Sequence, residues 1–178
     1  MKKTKLFKLI LSALFLSIAL VLPLLTGQIK EIGNALCPMH FPVILCGFFC
    51  GPFYAGIVGF IAPLLRFLIF GMPQIMPSAI AMCFELASYG ILTGILYRIF
   101  PDRKIYIYIT LLAAMLSGRI IWGAVTALLL GISGSSYSLA AFLAGSVLNA
   151  VPGIILQIIL IPLIVMAVNK AMPALRQQ

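Results

Sequence analysis

Residues 37–66 read CPMHFPVILCGFFCGPFYAGIVGFIAPLLR, a run in which one histidine, a Gly-Pro break and one arginine interrupt an otherwise almost wholly apolar stretch. An ordinary soluble core does not hold such a set. In hydrocarbon, an arginine turned to lipid costs about 2.5–3.5 kcal/mol even on the lenient insertion scale, so Arg66 has to face protein, water or a ligand. It is the first candidate functional residue, and its setting asks for a membrane.

Composition points the same way. The 178 residues are 63% hydrophobic and 8% charged, against about 25% charged in a soluble domain. The chain reads as an all-α membrane protein forming one domain over 1–178, because no stretch between apolar segments is long enough for a soluble unit. A net charge of +9 does not mark a nucleic-acid binder here. The basic residues stand at the edges of apolar segments, where they orient a chain in the bilayer. Cys37, Cys46, Cys50 and Cys83 lie in apolar runs without a CxxC pair or a histidine at ligand spacing. They read as small buried hydrophobes, and no metal or cofactor is expected. The basic start MKKTKLFK and the apolar run to Leu25 have the outline of a signal peptide, but the run is too long and no A-x-A site follows. It is read as a first spanning helix.

A spanning helix takes about 20 apolar residues. Six segments are predicted, at about 6–26, 38–50, 52–70, 75–98, 105–130 and 139–168. The second is short, and Pro38, Pro42, Gly47, Gly51 and Pro52 suggest a broken or tilted helix hairpinning into the third. Irregular backbone at that depth survives only under a cover of protein or along a cavity. With both termini on the cytoplasmic side of the cell membrane, the inner face collects Lys2, Lys3, Lys5, Lys8, Arg98, Arg103, Lys104, Lys170 and Arg176, against Lys30 alone outside. That asymmetry is the positive-inside pattern. At about 1.5 Å of rise per residue, Arg66 then lies about one turn from the outer end of its helix. Glu85, Arg119 and Asn149 each lie roughly 15 Å below the outer edge, and His40 sits at the outer rim. The outer connections 27–36, 71–77 and 131–138 are rich in Gly, Pro, Ser and Met, a composition suited to closing over a ligand.

The polar residues fall into helical stripes. Ser78, Met82, Glu85 and Tyr89 share one face of the fourth segment. Either Glu85 lines a ligand pocket walled by Met82 and Tyr89, or it pairs with Arg66 or Arg119 to hold the bundle, or both. If all three charges share one cavity, two arginines against one glutamate leave a positive charge that a carboxylate or phosphate would balance. Arg119 shares its face with Met115, Trp122 and Thr126. Trp122 either stacks a ring-shaped ligand or serves as a cation-π partner or interfacial anchor. On the sixth segment Ser146, Asn149 and Gly153 form a small polar face; Asn149 is a candidate ligand contact and Gln157 an interhelical hydrogen-bonder. His40 reads as a packed polar residue or a ligand hydrogen-bonder. Ala13 and Ser17 form a small-xxx-small pair, which packs helices within a bundle or against another protein.

Catalytic signatures are missing from the sequence: no GxxxxGK loop, no HExxH and no paired carboxylates. The chain is read as no enzyme. An intramembrane enzyme would have to rely on Glu85 and His40, and an autonomous secondary transporter would need Glu85 as proton carrier and a polar path inward. Toward the cytoplasmic side the sequence offers only Gln157 and Thr93 for such a path.

The basic N-terminus, the six segments, the glycine- and proline-rich second and third helices, and the stretches PVILCGFFCGPFYAGIVGFIAPLLR and FELASYGILTGILY resemble the S components of energy-coupling factor (ECF) vitamin transporters. The resemblance spans essentially the whole chain. It implies a high-affinity substrate-binding subunit of an ECF-type ABC importer for a small water-soluble vitamin or precursor. The ligand cavity would lie near the outer surface, built mainly from helices four to six and the outer loops. The implied partners are a transmembrane coupling subunit and two cytoplasmic ATPases, which would hydrolyse the ATP while the S component topples to release substrate. The AxxxA motif by which such proteins contact the coupling subunit falls on Ala13 and Ser17, with serine at its second position. For the substrate, an arginine surplus suits a pantothenate-like carboxylate, whereas Glu85 as main contact suits a pyridoxamine-type vitamer.

Overall fold

The computed structural model describes residues 2–24, 36–101, 103–132 and 151–172. Among them are six α-helices: α1 (Lys2–Val21), α2 (His40–Cys50), α3 (Pro52–Phe70), α4 (Ile80–Ile99), α5 (Lys104–Ile132) and α6 (Val151–Ala171). All but α2 are long and apolar enough to cross a bilayer. The large hydrophobic side chains on the outside, such as Leu68 and Leu116, are those a lipid surround stabilises. This is an all-α membrane bundle.

The shortest helix sits at its centre. At 11 residues, α2 rises only about 16 Å and cannot span alone. Ten of its residues are buried, leaving Leu45 partly covered. Phe49 stacks on Phe15 of α1 at 6.3 Å, and Phe48 meets the Tyr97 ring of α4 edge-on at 4.8 Å. Protein on every side is what lets a short, broken element survive at membrane depth.

Gly51 turns α2 into α3 with φ of 92°, a conformation natural to glycine, and Pro52 starts α3 where its missing N–H costs nothing. Gly71 closes α3 with φ of 70°, its N–H donating to the Phe67 carbonyl at 2.8 Å. Between α3 and α4 the backbones touch. A side chain added at Gly59 would strike the Leu86 carbonyl, at Gly90 the Ala55 carbonyl, and at Gly94 the Pro52 backbone. In lipid, where apolar burial gives no drive between helices, this close small-residue packing is a main source of association.

Some element ends differ from the sequence reading. The fourth segment was placed from 75, but Ile75–Ala79 form a π-helical turn with Met76 extended, and α4 starts at Ile80. Pro77 has no N–H to give an α-helical bond, and the Ala79 N–H reaches back to the Gln74 carbonyl at 2.9 Å. The first helix starts at Lys2 and ends in a 3-10 turn, Leu22–Leu24. The last runs on to Ala171, and positions 139–150 of that segment lie outside the described residues.

Candidate functional site

The i, i+4 spacing of Glu85 and Tyr89 puts both on the buried face of α4. The Tyr89 hydroxyl donates to Glu85 Oε1 at 3.1 Å. Helix α5 brings Arg119, whose Nη1 lies 3.0 Å from the same oxygen. From the start of α2, His40 Nε2 approaches it to 3.4 Å, close enough for electrostatic contact but outside hydrogen-bond alignment. The His40 and Tyr89 rings meet at 5.2 Å with a 58° tilt. Three residues, one from each of α2, α4 and α5, therefore converge on one carboxylate oxygen. Glu85 and Tyr89 are each 1% exposed, so the carboxylate has no solvent to lean on and depends on these donors.

Two backbone details hold the set in place. Tyr89 lies flat against α5 because position 118 is glycine; a Cβ there would run into the ring. Cys37, three residues before His40, has φ of 47°, an uncommon left-handed setting for a residue with a side chain. Its carbonyl accepts the His40 N–H at 3.1 Å, and its Sγ takes Arg119 Nη2 at 3.4 Å. The sequence reading treated Cys37 as a small hydrophobe. Its role as partner of the partly buried Arg119 was missed, and the one available signal was its place in the same turn as His40.

Arg66 goes elsewhere. It is buried, but Nη1 donates to the Leu20 carbonyl of α1 at 3.4 Å, and the guanidinium lies 5.6 Å from the Phe70 ring centroid. Among the described residues it forms no ion pair with Glu85, so the two arginines do not share that carboxylate. Met82 is partly buried above Glu85 and packs against both apolar clusters of the core. Trp122 is partly exposed, three residues beyond Arg119. Asn149 and Ser146 lie outside the described residues. Ala13 and Ser17 are exposed on α1, with the Ser17 hydroxyl turned back onto the Ala13 carbonyl at 3.0 Å.

The cluster keeps hydrogen-bonding capacity unused. Arg119 Nε and both ring nitrogens of His40 are buried without a hydrogen-bond partner among the described residues. Such groups are costly unless something else satisfies them.

The class this fold defines is a polytopic apolar membrane bundle with a polar cluster held inside it. The family described as the substrate-specific component of the ECF transporter matches residues 7–165, and the chain belongs to it. It is a multi-pass transport subunit, working on a small-molecule substrate together with the ECF module. No curated protein and no solved structure gives a significant match.

Proposed function

We propose that the Glu85–Arg119–His40–Tyr89 cluster is the substrate site, and that the substrate is a small water-soluble vitamin or precursor carrying a carboxylate, of the pantothenate type. The carrying observation is the unspent hydrogen-bonding capacity. Glu85 Oε1 already faces three neighbours, whereas Arg119 Nε lacks an acceptor among the described residues. A guanidinium edge held by Glu85 and Cys37 on its other nitrogens is oriented in advance to take an anionic oxygen. This replaces the expectation of a charge surplus from Arg66, which lies on Leu20 and Phe70. Met82 and Trp122 would supply apolar walls, and Asn149 a further polar contact. Mass spectrometry of the small molecule that co-purifies with the detergent-solubilised protein tests the reading. A carboxylate-bearing vitamin supports it, and an amine without a carboxylate overturns it.

The same reading gives the chain a transmembrane coupling subunit and two ATP-hydrolysing subunits as partners in the plasma membrane. The exposed Ala13–Ser17 face of α1 is where the coupling subunit would dock, since small residues admit a close helix approach. Ala13→Leu is expected to leave substrate affinity unchanged while co-purification with the ATPases falls at least about tenfold. Normal co-purification would remove this face from the interface.

A further inference from the structure

Outside the polar cluster, α3 and α4 enclose an apolar groove of about 560 Å³ on the bundle surface, lined by Pro52, Phe53, Gly56, Phe60, Ala87 and Ile91 among others. It begins at the Gly51–Pro52 turn, and its lining continues along α3 to Ile61, a rise of about 14 Å. That is roughly half the hydrocarbon thickness of a bilayer, the depth of one leaflet. Its far end is marked by the edge-to-face pair of Phe60 and Phe84, 5.7 Å apart.

A cation stands at the near end. Ala87, Ile91 and Arg98 fall at i, i+4 and i+11, one stripe of α4. The Arg98 guanidinium lies against the Gly51 backbone, where an added Cβ would collide with it. Arg98 is exposed, and among the described residues no carboxylate pairs with it. Lys8 of α1 is within electrostatic range of Arg98, a second positive charge at the same end. This end also carries Arg103, Lys104 and Lys170, the cytoplasmic side by the positive-inside pattern.

We infer that the groove is a binding site for one anionic phospholipid of the inner leaflet, with an acyl chain between α3 and α4 and the headgroup phosphate on Arg98. Leaflet-length apolar lining and a basic foot match the two halves of such a molecule. Glycine at 51 is what lets the guanidinium lie at the groove entrance, and glycine at 56 leaves room beside Ile91. The inference stands apart from the substrate reading, because none of the groove residues belongs to the Glu85 cluster.

Native mass spectrometry of the full chain in detergent tests it, with phosphatidylglycerol or phosphatidylcholine of identical acyl chains added at equal concentration. The wild type is expected to retain one phosphatidylglycerol, and phosphatidylcholine about fivefold less. Arg98→Gln should bring phosphatidylglycerol down to the phosphatidylcholine level, Arg98→Lys should largely restore it, and Ala87→Leu should reduce retention of both lipids by filling the groove. Equal retention by wild type and Arg98→Gln, or no preference between the two lipids in the wild type, overturns the proposal. So does crosslinking from Ile57 to a protein partner in place of lipid. An unchanged thermal unfolding midpoint in each variant shows that the fold is intact.

Discussion

Two arginines are sunk in this bundle, and their surroundings divide the molecule's chemistry. Arg119 meets a carboxylate at 3.0 Å and a cysteine sulfur at 3.4 Å, with a histidine and a tyrosine crowding the same carboxylate. Arg66 has a backbone carbonyl at 3.4 Å and a phenyl ring. Through the Leu20 carbonyl Arg66 ties α3 to α1, with the Phe70 ring beside it. The set around Arg119 is built from side chains that can re-pair. What separates the two arginines is the kind of partner each is given.

Substitutions can break this contrast. The largest effect belongs to Arg119→Ala, which leaves Glu85 buried without its counter-charge, a cost of about 3–5 kcal/mol. Substrate affinity by titration calorimetry should fall at least about 100-fold, and thermal stability should drop with it. Adding Glu85→Gln should recover stability but not affinity; recovery of both would move the substrate away from Arg119. Next comes Gly118→Ala, whose methyl meets the Tyr89 ring. Overpacking of this kind costs about 1–3 kcal/mol, and affinity should fall about tenfold through a displaced Tyr89. Tyr89→Phe removes one hydrogen bond to Glu85, worth about 1 kcal/mol, for a loss of about fivefold. Arg66→Met is expected to be nearly silent. It deletes a long hydrogen bond together with a desolvated charge, opposing effects that cancel to within about 1 kcal/mol. Affinity should stay within about twofold, and a loss comparable to that of Arg119→Ala would erase the distinction between the two arginines.

What could be read from the chain beforehand follows the same division. The third helix was readable because Gly51-Pro52 and Gly71 punctuate it, and it runs Pro52–Phe70. Glu85 and Tyr89 share a face by spacing alone, and matching depths made Arg119 one of two candidate partners for Glu85, with Arg66 left open as the other. The partner of Arg66 left no trace, because a backbone carbonyl is present at every residue and the packing of α1 on α3 selects which one is used. Nor could α2 be oriented. A helix buried on nearly every side carries no apolar stripe, so its periodicity does not say that His40 turns toward Glu85. The π-helical turn at Ile75–Ala79 escaped for a local reason, since proline at 77 is compatible with more than one way of starting a helix.

The glycine seam between α3 and α4 sets a mechanical condition on whatever the protein does. With backbone against backbone at Gly59, Gly90 and Gly94, sliding one helix past the other by a single position would force a side chain into a carbonyl. The pair has to travel as one rigid plate. Glu85 and Tyr89 ride on that plate, while His40 belongs to α2 and Arg119 to α5, so any opening of the cluster has to come from α2 or α5 moving against it.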